Sequence, residues 1–222
     1  MVASTSWVGA VAKMAGATNI TVIAPSNIQH PPDYDPKASD LAALSEADYV
    51  LMAGFEGFAQ RMKDAAGSTA KMLMVAPDYD PAKLKVEVDK LATEWGTTEV
   101  ADANMATYTT QYNDAAAALQ KTTSSKPEVV VAHAFVANWA GFAGYTPAGI
   151  FGPDPLTPAK VAELVKLKPT LVFENSHMPG GTEIATPANA VLVSLINFPG
   201  DDLELMPVVN KNAETITAAV GG

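Results

Sequence analysis

Apolar and polar positions along the chain alternate between short apolar runs and longer stretches with helical spacing. Seven runs read as strands: Val2–Thr5, Ile20–Ala24, Tyr49–Met52, Lys71–Val75, Val129–Ala132, Thr170–Phe173 and Ala190–Leu195. Between them, Trp7–Met14, Leu41–Glu46, Phe58–Ala66, Ala82–Glu94 and Pro158–Leu167 read as helices. Ser39 before "DLAAL" and Thr157 before "PAKVAEL" are expected N-caps, the second with proline at the first helical position. Strands alternating with helices in this way imply α/β layers with mostly parallel sheets.

One segment breaks the rhythm. From Asp102 to Lys121 the apolar positions Met105, Tyr108, Tyr112, Ala115 and Leu119 recur at steps of three and four, which gives one helical face. Some 20 residues of helix would span about 30 Å, the width of a small domain. It lies mid-chain and is followed by the loop "TTSSKP" and a new strand. We read it as a helix that crosses between two α/β lobes, the alternative being a long surface helix within one domain. The expected division is an N-terminal lobe over residues 1–98, a connecting helix over 99–124 and a C-terminal lobe over 125–222.

Composition narrows the function classes. With 48% apolar and 17% charged residues the chain describes a globular protein, and no apolar run approaches the roughly 18 residues of a membrane span. The opening "MVASTSWV" reads as a strand that begins at once, without a basic-then-apolar leader. That is expected of a mature exported domain and equally of a cytoplasmic chain. There is no cysteine, so disulfides, thiolate metal sites and cysteine nucleophiles are excluded. A net charge of −10 argues against nucleic acid and favours a cationic ligand, or serves solubility alone. There is no phosphate-binding glycine loop, no G-x-S-x-G elbow and no H-E-x-x-H helix. The "MLM" at Met72–Met74 reads as buried strand and not as a copper site. Trp7, Trp95 and Trp139 are expected in the core or between lobes, with Trp139 on a helix shared with His133.

Candidate chemistry resides in three histidines. His30 follows the second predicted strand within "SNIQHPPDYDPKASD", His133 directly follows "EVVVA", and His177 follows "TLVF" by four residues. In open α/β sheets ligands bind beyond the carboxyl ends of strands, which is where all three fall. Converging imidazoles with a carboxylate make a four-coordinate zinc site. Glu174 in "FENSHMPGG", or Asp33 and Asp35 after His30, would complete such a shell or orient an imidazole. Pro31 and Pro32 stiffen the His30 loop, as they would any rigid connector.

The segments "VASTSWVGAVAKMAG", "DYDPKASDLAALSEADYVL", "VVVAHAFVANWAGFAGY" and "LVFENSHMPGGTEIATPANAVLVSL", in that order, resemble the metal-binding solute receptors of zinc and manganese ABC transporters. The resemblance covers most of the chain. It implies two α/β lobes joined by a single long helix, with a metal held between them. Position by position it places ligands at His133 and Glu174. Pro32 stands where the family has a histidine before its Y-[ED]-P, Ala76 stands where a second histidine is usual, and Asn197 falls near the family's final aspartate. The expected set is therefore His30, His133, His177 and Glu174, with His177 replacing the second histidine.

The function this implies is an extracytoplasmic receptor that captures zinc, or alternatively manganese, as transported cargo. It would deliver the ion to an ABC permease. Three nitrogen ligands favour zinc over manganese. The expected protein is a monomer, periplasmic or extracellular and held at the membrane through the permease or a lipid anchor. Two alternatives stay open. One is the same fold binding a metal chelate or other ligand. The other is a zinc hydrolase or hydratase in which Glu174 serves as general base.

Overall fold

The computed structural model describes residues 1–126 and 128–221. The chain divides into two compact units, one built from residues 1–110 and 198–206, the other from 111–197 and 207–222.

The first unit begins with strand β1 (Val2–Ala3), helix α1 (Ser6–Met14), strand β2 (Thr21–Val22), helix α2 (Ala38–Ser45) and strand β3 (Tyr49–Met52). It continues through helix α3 (Ala59–Ala65), strand β4 (Lys71–Met74), helix α4 (Pro81–Trp95) and the start of helix α5 (Thr98–Thr123). The strands form one parallel sheet in the order β2-β1-β3-β4. Alternate residues face opposite ways. Val2, Val50 and Met52 therefore share a face, on which Leu44 of α2 and Met62 of α3 pack with Phe58. The β1 strand is shorter than Val2–Thr5 because Thr5 turns away to cap α1, accepting from the Val8 N–H.

The second unit takes over α5 and adds β5 (Val130–His133), α6 (Asn138–Phe142), β6 (Gly149–Phe151) and α7 (Pro158–Val165). It ends with β7 (Leu171–Asn175), α8 (Thr182–Ala188), β8 (Val191–Leu195) and α9 (Met206–Gly221). Its sheet is also parallel, in the order β6-β5-β7-β8. Val131, Phe151 and Val172 face Leu164 of α7 and Ile184 of α8. The fold is thus α/β with two mostly parallel sheets, as the alternation of elements implied.

Helix α5 begins four residues earlier and ends two later than the apolar spacing suggested, at 26 residues or about 39 Å. Each half is anchored to its own unit. In the first, Tyr108 donates its hydroxyl to the Tyr79 carbonyl at 2.7 Å, and Asn104 donates to the Met14 carbonyl at 3.1 Å. In the second, Tyr112 meets Phe142 edge-on at 4.9 Å and Thr123 donates to the Ala143 carbonyl at 2.7 Å. Pro127, the last residue of the expected loop after it, lies outside the described residues.

Several local expectations are corrected. Thr157 caps α7 as expected, accepting from the Lys160 N–H at 3.2 Å. Ser39 does not cap α2. The cap is Lys37, whose N–H donates to the Asp40 carboxylate at 2.8 Å, so Ser39 lies inside the first turn. Met72 and Met74 are not buried. They stand on edge strand β4, 37% and 49% exposed. Trp139 does not share a helix with His133, because a 3₁₀ turn over Ala134–Val136 separates His133 from α6. Trp139 is buried against Phe142. Strand β6 and helices α8 and α9 were not read from the sequence.

Candidate functional site

In the first unit His30 sits beyond β2, immediately before a 3₁₀ turn over Pro31–Asp33. Its Nδ1 lies 2.8 Å from an Asp33 carboxylate oxygen, with the imidazole only partly exposed. The prolines are buried and tie this loop down, since the Pro32 carbonyl accepts from the Gly57 N–H at 3.0 Å. Asp35 pairs with Arg61 of α3. Neither Asp33 nor Asp35 is free of a partner, and both point into solvent.

The loop tied to His30 carries a residue the sequence reading missed. Glu56 follows β3 and is buried. Its carboxylate accepts from the Ala53 N–H at 2.9 Å, the Gly54 N–H at 2.7 Å and the Ser4 hydroxyl. These bonds close the turn after β3 onto the end of β1. The available signal was a glutamate between glycines, "GFEG", directly after a strand.

In the second unit His133 is the last residue of β5 and Glu174 the penultimate residue of β7. The register Ala132↔Phe173 makes them next neighbours on adjacent strands, on the same face as Val131 and Val172. Both are buried. His133 Nδ1 accepts from the Phe135 N–H at 3.1 Å. The imidazole lies 5.3 Å from the rings of Phe135 and Phe151. Its Nε2 abuts Gly152, where a Cβ would come within 2.4 Å. Burial lowers the His133 pKa from the usual imidazole value, and the Glu174 charge partly opposes that shift. The ring is therefore neutral at neutral pH, the state in which imidazole ligates metals.

Glu174 is engaged by its own chain. Its Oε2 accepts from the Gly180 and Gly181 N–H groups at 3.2 and 3.0 Å, at the start of α8. Those bonds fold back the loop that carries His177. Its tip is a tight turn in which Met178 N–H donates to the Asn175 carbonyl at 2.9 Å and His177 N–H to Asn175 Oδ1 at 3.0 Å. His177 is partly buried there. Asn197, beyond β8, is buried and donates through Nδ2 to the Phe135 carbonyl at 2.9 Å. Thus His133, Glu174 and Asn197 belong to one hydrogen-bonded edge of the second sheet, and the His177 loop is fastened to it. Within neither unit do the described residues gather three or more histidine, aspartate or glutamate side chains around a position for a metal ion.

No family model matches the chain, and no curated protein matches it in sequence. Solved structures do match. A Mn-bound periplasmic metal-binding protein from Candidatus Liberibacter asiaticus superposes with a TM-score of 0.74 at 12% identity, covering 99% of this chain and 98% of that one. ZnuA gives 0.71 at 19% identity, covering 99% and 98%. FpvC, a solute-binding protein from P. aeruginosa solved in complex with Ni2+, gives 0.73 at 17% identity, covering 99% and 95%. Among the described residues no helix is long and apolar enough to cross a membrane. The chain has the fold of the periplasmic metal-binding solute receptors over essentially its full length.

Proposed function

We propose that this protein is an extracytoplasmic receptor that captures a transition-metal ion, zinc first and manganese second, and delivers it to an ABC permease. The observation that carries the reading is positional. In a fold shared with proteins solved with Mn, Zn or Ni bound, all three histidines stand at the carboxyl ends of parallel strands or on the loops that leave them. The proposed donors are His30 in the first unit and His133, His177 and Glu174 in the second. Nitrogen donors from imidazole favour zinc over manganese. Elemental analysis of the purified protein, followed by calorimetry with zinc, manganese and nickel, tests this. His133→Ala is expected to weaken zinc binding at least about tenfold. A protein that takes up no metal after equilibration, with all three histidine-to-alanine variants indistinguishable from it, sinks the proposal.

A second reading has its own support. His133 Nδ1 and Glu174 Oε2 are already engaged by backbone N–H groups, so each of these residues has at most one atom left to offer a metal and Glu174 cannot chelate one through both oxygens. A metal ion arriving with its own small oxygen-rich chelator needs fewer protein donors. Calorimetry with zinc citrate beside aqueous zinc separates the two: tighter binding of the complex favours the chelate, and tighter binding of the ion removes it.

A further inference from the structure

A run of buried amides leads from the last helix to His133. Asn212 on α9 is 1% exposed and grips both polar main-chain groups of one residue, Ile196. Its Oδ1 accepts from the Ile196 N–H at 3.0 Å and its Nδ2 donates to the Ile196 carbonyl at 2.9 Å. A neighbouring strand would make the same pair of bonds, so Asn212 extends the pairing of β8 by one residue where the sheet has ended. The next residue, Asn197, is held in place by that grip and donates to the Phe135 carbonyl at 2.9 Å. Phe135 in turn donates its N–H to His133 Nδ1 at 3.1 Å. Both polar groups of the Phe135 main chain are therefore fixed, one by Asn197 and one by the histidine.

The chemistry follows from which nitrogen accepts. An imidazole nitrogen that receives an N–H bond carries no proton, so in the neutral ring the proton is on the other nitrogen. The Phe135 N–H lies in the Ala134–Phe135 peptide plane and the bond from Asn197 holds the carbonyl of the next plane, so the two bonds together fix the Phe135 backbone on either side of its Cα. We propose that Asn212 and Asn197 are positioning residues that set the tautomer of His133, so that the unloaded protein presents Nε2 as an N–H donor. This rests on the reading of His133 as a ligand-facing residue. A donor at Nε2 suits an acceptor oxygen, such as a carboxylate carried by a metal complex. A bare ion could bind Nε2 only after the proton leaves it for Nδ1, which requires the Phe135 N–H bond to break.

The test needs no metal, so it fails or succeeds independently of the metal reading. Long-range 1H–15N correlation of histidine-labelled protein identifies the tautomer of each ring. In the unaltered chain His133 is expected as the Nε2–H form. Asn197→Ala and Asn212→Leu are each expected to raise its Nδ1–H population at least threefold. Asn212→Thr, which buries no charge and is the safer variant for folding, is expected to do so less. The signals of His177, in the same unit, should stay put in all three and report an intact fold. An Nδ1–H ring in the unaltered protein overturns the inference. So does an unchanged His133 tautomer in variants whose His177 signals are native.

Discussion

The two four-stranded sheets share one connectivity, β2-β1-β3-β4 and β6-β5-β7-β8, and finish their carboxyl edges with different chemistry. In the first unit the buried charge is Glu56, closed in by Ser4, Ala53 and Gly54, and the histidine stands outside on a proline-stiffened loop. In the second His133 itself is buried, flanked by Glu174 and fixed through Phe135 and Asn197. The contrast separates two ways of holding a candidate donor. A side chain built into the hydrogen-bonded edge of a sheet is part of the fold, so altering it changes stability together with binding. A side chain carried on a loop pinned by its backbone can be removed with little effect on the fold.

The sharpest break of that contrast is at Gly152, where the φ of +71° is one that L side chains rarely adopt. An alanine Cβ there would come within 2.4 Å of His133 Nε2. Strain and overlap together are expected to cost roughly 3 kcal/mol in chemical denaturation. Gly180→Ala, where a Cβ would meet nothing within 4 Å, is the control and should change stability little. Next in size is Glu56→Ala, which strands two backbone N–H groups and the Ser4 hydroxyl and should cost about 2 kcal/mol. A Glu56→Ala protein as stable as its parent would show that the first unit has no built-in edge, and the comparison would lose one side.

How far the sequence carried this picture depends on the distance over which each feature is determined. The long helix was legible because Met105, Tyr108 and Leu119 repeat along one face, and the structure buries all three. The parallel pairing of the sheets followed from strand–helix alternation. Strand β6 was not legible, being three residues set among prolines and glycines with Ile150 exposed. "MLM" misled because an apolar run does not reveal that its strand lies at a sheet edge. The histidines could be placed at strand ends, but their surroundings could not. Asn197 and Phe135 are 62 residues apart, and the partners of Glu56 include Ser4, 52 residues away. Such pairings come from tertiary packing and leave no local period.

Acidity tests the buried side of the comparison. Burial holds the His133 pKa below the usual imidazole range, with Glu174 only partly opposing it. Below the unfolded value of about 6.5 the unfolded chain binds this proton more readily than the folded one. Its contribution is therefore fully present above that value and is lost as pH falls through the folded pKa. Denaturation midpoints should drop on acidification from about pH 7 to about pH 5, and His133→Gln should flatten that slope. An equal slope in both proteins would mean that the acid sensitivity lies elsewhere.

The smallest expected change in stability is at His30. Its partner Asp33 is solvent-exposed, and such pairs contribute at most about 1 kcal/mol. The loop does not need the imidazole to keep its path, since Asp33 N–H donates to the His30 carbonyl and Gly57 N–H to the Pro32 carbonyl, each at 3.0 Å. His30→Ala should therefore leave the denaturation curve within error while weakening zinc binding about tenfold, or about 1.4 kcal/mol. His133→Ala should shift both measurements together. If His30→Ala destabilises the protein as much as His133→Ala does, the loop is part of the fold after all. If it leaves both measurements unchanged, His30 holds only Asp33, and the metal, if bound, is held without it.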